Sequence, residues 1–98
     1  MSYPSPDLRP TACFSVQAAA EPSVMARVLE LFAKRGLVPT RLHADVQGSR
    51  GEMMTIDIQM EGLAPELAAY MARCMRQIAY VECVLTSERG FVPAAQRA

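Results

Sequence analysis

The chain lacks an excess of charge of either sign: ten Lys and Arg stand against ten Asp and Glu among 98 residues. With no overall field to attract nucleic acid or an anionic membrane, any partner must be recognised by shape and local chemistry. A cysteine framework is missing too. Cys13, Cys74 and Cys83 are odd in number and none stands in a CxxC spacing, so the expectation is three reduced, mostly buried thiols in a cytoplasmic protein. His43 with the three cysteines would make a zinc donor set, but only Cys74 and Cys83 are near each other in sequence, so neither a metal nor a cofactor is expected. Long apolar runs are absent, where a membrane helix needs roughly 20 residues. Pro4, Pro6, Asp7, Arg9 and Pro10 occupy the place of a signal peptide's apolar block, so neither a membrane span nor an export segment is read. What is present suffices for one core: 51% of the residues are hydrophobic and 20% charged, in a length that fits a single domain.

Residues 1–10 show no apolar period and read as a flexible arm. From Thr11 the pattern alternates. Ala12, Phe14, Val16 and Ala18 fall on one side and Cys13, Ser15 and Gln17 on the other, which is the period of a strand with one buried face. Glu21 and Pro22 then open a helix, because proline at the first helical position sacrifices no hydrogen bond and a carboxylate there suits the positive end of the dipole. Met25, Val28, Leu29 and Phe32 make its apolar stripe, Glu30 and Lys34 a favourable i, i+4 pair, and Lys34, Arg35 and Gly36 a cationic last turn and stop. Val38 to Val46 alternates again, with Arg41, His43 and Asp45 on the outer side. After the turn Gly48 to Gly51 comes a partner strand through Met54, Ile56, Ile58 and Met60, so the two form a hairpin. Pro65 and Glu66 open a second helix, whose stripe is Leu67, Tyr70, Met71, Cys74, Met75 and Ile78. Val81 to Ser87 closes the domain as a fourth strand. The domain therefore spans residues 11–87, and 88–98 reads as a tail.

The order βαββαβ with right-handed crossovers predicts an α+β, ferredoxin-like fold: a four-stranded antiparallel sheet of order 4-1-3-2 with two helices on one face. That fold serves many functions, so each must be tested at its own residues. A soft-metal carrier needs a CxxC in the first βα loop, where this chain has Ala19, Ala20, Glu21, Pro22 and Ser23. An RNA-binding sheet needs aromatics among basic residues, whereas the open face shows Ser15, Gln17, Asp57 and Gln59. Phosphate chemistry needs an arginine or a glycine nest in that first loop, and neither is there. Most of the seven methionines fall at strand or helix spacing and read as core fillers. His43 has no nucleophile or carboxylate pair placed with it, so no catalytic constellation is read. A non-catalytic binding or regulatory module is the expectation.

The run Glu21 to Leu37, above all Arg27-Val28, Glu30-Leu31-Phe32 and Lys34-Arg35-Gly36, resembles the start of an ACT domain. It is most similar to the regulatory small subunit of acetolactate (acetohydroxyacid) synthase. Met54 to Ile58 and Ile78 to Val84 resemble that family's third strand and its exit from the second helix. The resemblance implies a homodimer that holds an amino-acid effector near the first βα loop, and a large catalytic subunit of that synthase as a partner in branched-chain amino-acid biosynthesis. It also leaves a second implication open, a stand-alone dimer that binds an amino acid or serves another enzyme. The effector site it points to comprises Glu21, Pro22, Ser23, Val24, Met25 and Val38, and the N–H groups that open a helix suit a carboxylate there. The chain departs from the family pattern at Ser23, where a glycine is usual, and at Ala20 and Val38, where the small subunits often carry asparagine. Recognition without those amides rests on main chain and apolar contact.

Overall fold

The computed structural model describes residues 10–89. Six elements follow in chain order: β1 (Thr11–Ala19), α1 (Pro22–Ala33), β2 (Arg41–Gln47), β3 (Met53–Met60), α2 (Pro65–Arg76) and β4 (Val81–Arg89). The strands form one antiparallel sheet in the order β2-β3-β1-β4, the ferredoxin-like βαββαβ arrangement. The arm expected at the N-terminus lies outside the described residues except for Pro10. At the other end β4 runs on through Glu88 and Arg89, which pair with Ala12 and Thr11 of β1, two residues past the expected domain end.

Strand β1 is central, paired by β3 on one side and β4 on the other, so its alternation converts directly into burial. Ala12, Phe14, Val16 and Ala18 are all buried, and Phe14 is opposite Ile58 while Val16 is opposite Ile56. Against this face lie Val24, Val28 and Phe32 of α1 and Met71, Ala72 and Met75 of α2. Phe14 and Phe32 meet edge to face, with ring centroids 6.2 Å apart and planes at 84°, the arrangement that aromatic quadrupoles favour. Burying each of these large side chains contributes about 1.5–3 kcal/mol. Val84 is the buried residue of β4, which decides the side of that strand facing the helices. Met54, Met71 and Met75 are core residues as expected, while Met25, Met53 and Met60 are only half-buried.

Four expectations are corrected. Strand β2 starts at Arg41 and not at Val38, because Pro39 has no N–H to give a ladder. The chain is tied instead at Thr40, whose N–H donates to the Gln59 carbonyl at 2.8 Å and whose hydroxyl accepts from the Glu61 N–H at 2.9 Å. Second, all three cysteines are half-buried and free, not mostly buried. Third, α1 stops at Ala33, so Lys34, Arg35 and Gly36 belong to the turn that follows. Gly36 N–H donates to Ala33 and Leu37 N–H to Phe32, with Gly36 at φ 66°. This paired closure satisfies the last helix carbonyls and requires a left-handed residue. Fourth, each helix exposes one expected stripe residue, Leu29 at 37% on α1 and Tyr70 at 43% on α2, and Val24 and Ala72 take core places instead.

Candidate functional site

The first βα loop is held by backbone bonds to two other loops. Ala19 N–H donates to the Tyr80 carbonyl at 3.0 Å, and Ala20 N–H donates to the Glu52 carbonyl at 2.9 Å. The β1–α1 loop, the β2–β3 hairpin loop and the α2–β4 connection therefore converge at one end of the sheet. Tyr80 reaches this bond in a left-handed conformation, φ 74°. Next to it, β1 and β4 slip register between Gln17 and Ala18, where Cys83 and then Val81 stand opposite. The slip leaves Glu82 as an extra residue on β4, the pattern of a bulge, which bends and twists a strand locally.

Most donors at the start of α1 are already used. Glu21 N–H donates to the Ala19 carbonyl at 2.8 Å and Val24 N–H to the Glu21 carbonyl at 3.0 Å. Pro22 has no N–H, and helix geometry turns the Met25 N–H inward to the Glu21 carbonyl. Ser23 is the donor that remains. Glu21 is the residue preceding the helix, extended at φ −104° and ψ 132°, and its side chain makes no capping bond. Glu21, Pro22 and Ser23 are exposed, Val24 is buried in the core and Met25 is half-buried. This patch offers an anion one free N–H and the positive end of a 12-residue helix.

Val38 does not join this patch within one chain. It is 81% exposed and follows the far end of α1, whose 12 residues span roughly 18 Å. Five of the six expected site residues thus gather at one end of the sheet and the sixth at the other. Sequence reasoning missed Tyr80 and Glu52, whose carbonyls position the loop. Nothing in either side chain announces that role, because the contact is made by main chain and depends on the sheet register.

Among the described residues no group of three His, Cys, Asp or Glu is arranged to hold a metal ion. No described helix is long and apolar enough to cross a membrane. His43 is exposed on β2, with its Nε2 2.9 Å from the Asp45 carboxylate.

The sequence matches the ACT-like domain family over residues 7–89, which takes in every strand and helix of the described residues. The chain belongs to the ACT-like domain family. Among solved structures it is similar to the C-terminal domain of the MgtC protein from Mycobacterium tuberculosis, with a TM-score of 0.67 at 13% identity, over 92% of this chain and 98% of that one. At that identity the likeness concerns the fold. No curated protein matches the sequence.

Proposed function

We propose that this chain is a non-catalytic regulatory ACT module that works as a homodimer and responds to a small amino acid bound at the start of α1. Membership of the ACT-like family over residues 7–89 is the observation that carries the reading. The local chemistry supports it: Ser23 keeps a free N–H at a helix start, where the dipole favours a carboxylate. The separation of Val38 from Pro22, Ser23, Val24 and Met25 supports the dimer. Two copies joined along their β2 edges run antiparallel, so Val38 of one copy comes to the end of the sheet where α1 of the other begins. The effector's carboxylate then meets the Ser23 N–H of one copy, and its side chain meets Val38 of the other and Met25. With one main-chain donor and apolar contact, such a site is weak and tolerant among aliphatic side chains.

Calorimetry with valine, leucine and isoleucine tests this reading on the wild type and on Ser23→Asp. The substitution suits the helix start, so the fold is retained, but it sets a carboxylate against the effector's own. Binding by the wild type that weakens in Ser23→Asp is the expected result. Equal binding by both places the effector elsewhere, and no binding by the wild type leaves a purely structural module.

The run Arg27 to Gly36 supports a narrower reading, a small subunit of acetolactate synthase. Its test is whether a large synthase subunit co-purifies with this chain and gains activity from it. Neither effect would remove that reading and leave the stand-alone dimer.

A further inference from the structure

The face of the sheet opposite the helices carries a trough of about 410 Å³. Its floor is made by small residues of β1, Cys13 and Ser15, with Arg41 and His43 of β2 on one side and Leu85 of β4 on the other. The register sets the chemistry. Arg41 stands opposite Gln59, His43 opposite Asp57, Asp57 opposite Ser15, and Ser15 opposite Leu85. Arg41 and Asp57 are therefore diagonal neighbours on adjacent strands, a separation of about 7–8 Å that long side chains ordinarily close. They do not pair. Among the described residues neither makes an ion pair or a side-chain hydrogen bond. Arg89 donates to Gln59 Oε1 at 2.7 Å, which brings a second guanidinium to the Arg41 end.

We propose that this trough binds a small zwitterion, with its carboxylate received by Arg41, its ammonium by Asp57 and an aliphatic side chain against Leu85. A guanidinium and a carboxylate that face the same space without meeting are bridged best by a ligand carrying both signs on a short frame. The same arrangement selects against other classes. A dicarboxylate sets its second charge against Asp57, and a diamine sets one against Arg41 and Arg89. A phosphate finds neither a helix start nor a nest of N–H groups on this face. Leu85 is 56% exposed, so covering it with an aliphatic side chain removes apolar surface from water. The trough and the start of α1 lie on different parts of the fold, so this proposal does not rest on the effector reading above.

Amide-resolved NMR titration of the full chain separates the two sites. The probes are L-leucine, its methyl ester, which lacks the carboxylate, and N-acetyl-L-leucine, which lacks the ammonium. The expected result is leucine-dependent shifts at Ser15, Asp57 and Leu85, weakened at least about tenfold for each blocked probe and in each of Arg41→Gln and Asp57→Asn. Both variants are at exposed positions, and an unchanged spectrum away from the trough checks their fold. Shifts confined to residues 21–25 would overturn the trough and leave the effector reading standing. Leucine shifts at the trough that survive both substitutions, or no shift there at tens of millimolar leucine, would overturn it as well.

Discussion

Tyr80 bears the clearest cost borne by a single residue. It is the one non-glycine among the described residues with a positive φ, 74°, a conformation that costs a side-chain-bearing residue about 1–2 kcal/mol. Its ring does little to offset that cost, being 56% exposed. The carbonyl explains the arrangement, because it must accept the Ala19 N–H for the β1–α1 loop to seat. Tyr80→Gly is therefore expected to stabilise the fold by about 1 kcal/mol. In urea unfolding this raises the midpoint with an unchanged slope, and a lowered midpoint would mean that the ring packs more than its exposure indicates. Phe14 lies at the other extreme. It is 2% exposed and set against Phe32, so Phe14→Ala should cost about 3–5 kcal/mol and leave a small domain close to unfolding, read as a collapse of the same midpoint.

Among the elements, those whose form follows from a local pattern were readable in advance, and those whose form depends on neighbours were not. Strands β1 and β3 alternate because both central strands have one face under the helices, so the buried set Phe14, Val16, Ile56 and Ile58 follows from period alone. Both helices begin at a proline, Pro22 and Pro65, for the reason that position favours it. Strand β2 alternates too, but its pattern ran back through Pro39, and a missing donor outranks an apolar period. The side of β4 that faces the core does not follow from its own residues, because Val81, Cys83, Val84 and Leu85 suit either face, and only the pairing with β1 separates them. The candidate site was legible in the same proportion: the helix start could be read from Glu21 and Pro22, but how many of its N–H groups are free depends on Ala19, Glu21 and loops distant in sequence. The closure of α1 offers a test at this scale. Nothing lies within 4 Å of a Cβ built on Gly36, while its φ is 66°. Gly36→Ala should therefore cost about 1 kcal/mol from backbone conformation alone, and a cost several times larger in thermal or urea unfolding would point to a steric contact instead.

For the molecule as a whole, the open question is what covers the β2 edge. Its helix-side residues Leu42 and Val46 are 38% and 65% exposed, although their β3 partners Ile58 and Met54 are buried. An edge strand with unpaired backbone groups and a bare apolar row invites another strand, and a twofold contact pairs it with itself. The seven residues Arg41–Gln47 have Ala44 at their centre. Antiparallel self-pairing about Ala44 sets Leu42 against Val46, His43 against Asp45 and Arg41 against Gln47 of the second copy. No like charges then stand opposite each other, and both apolar side chains find an apolar neighbour. A slip of two residues would lose these matches. The wild type is therefore expected to be a dimer at micromolar concentration in multi-angle light scattering. Val46→Glu places a carboxylate in the apolar row and should yield a folded monomer, since Val46 is too exposed in one chain for the substitution to disturb the core. Unchanged circular dichroism with halved mass is the predicted outcome. A wild-type monomer, or a Val46→Glu dimer of wild-type stability, would show that this edge is not where two copies meet.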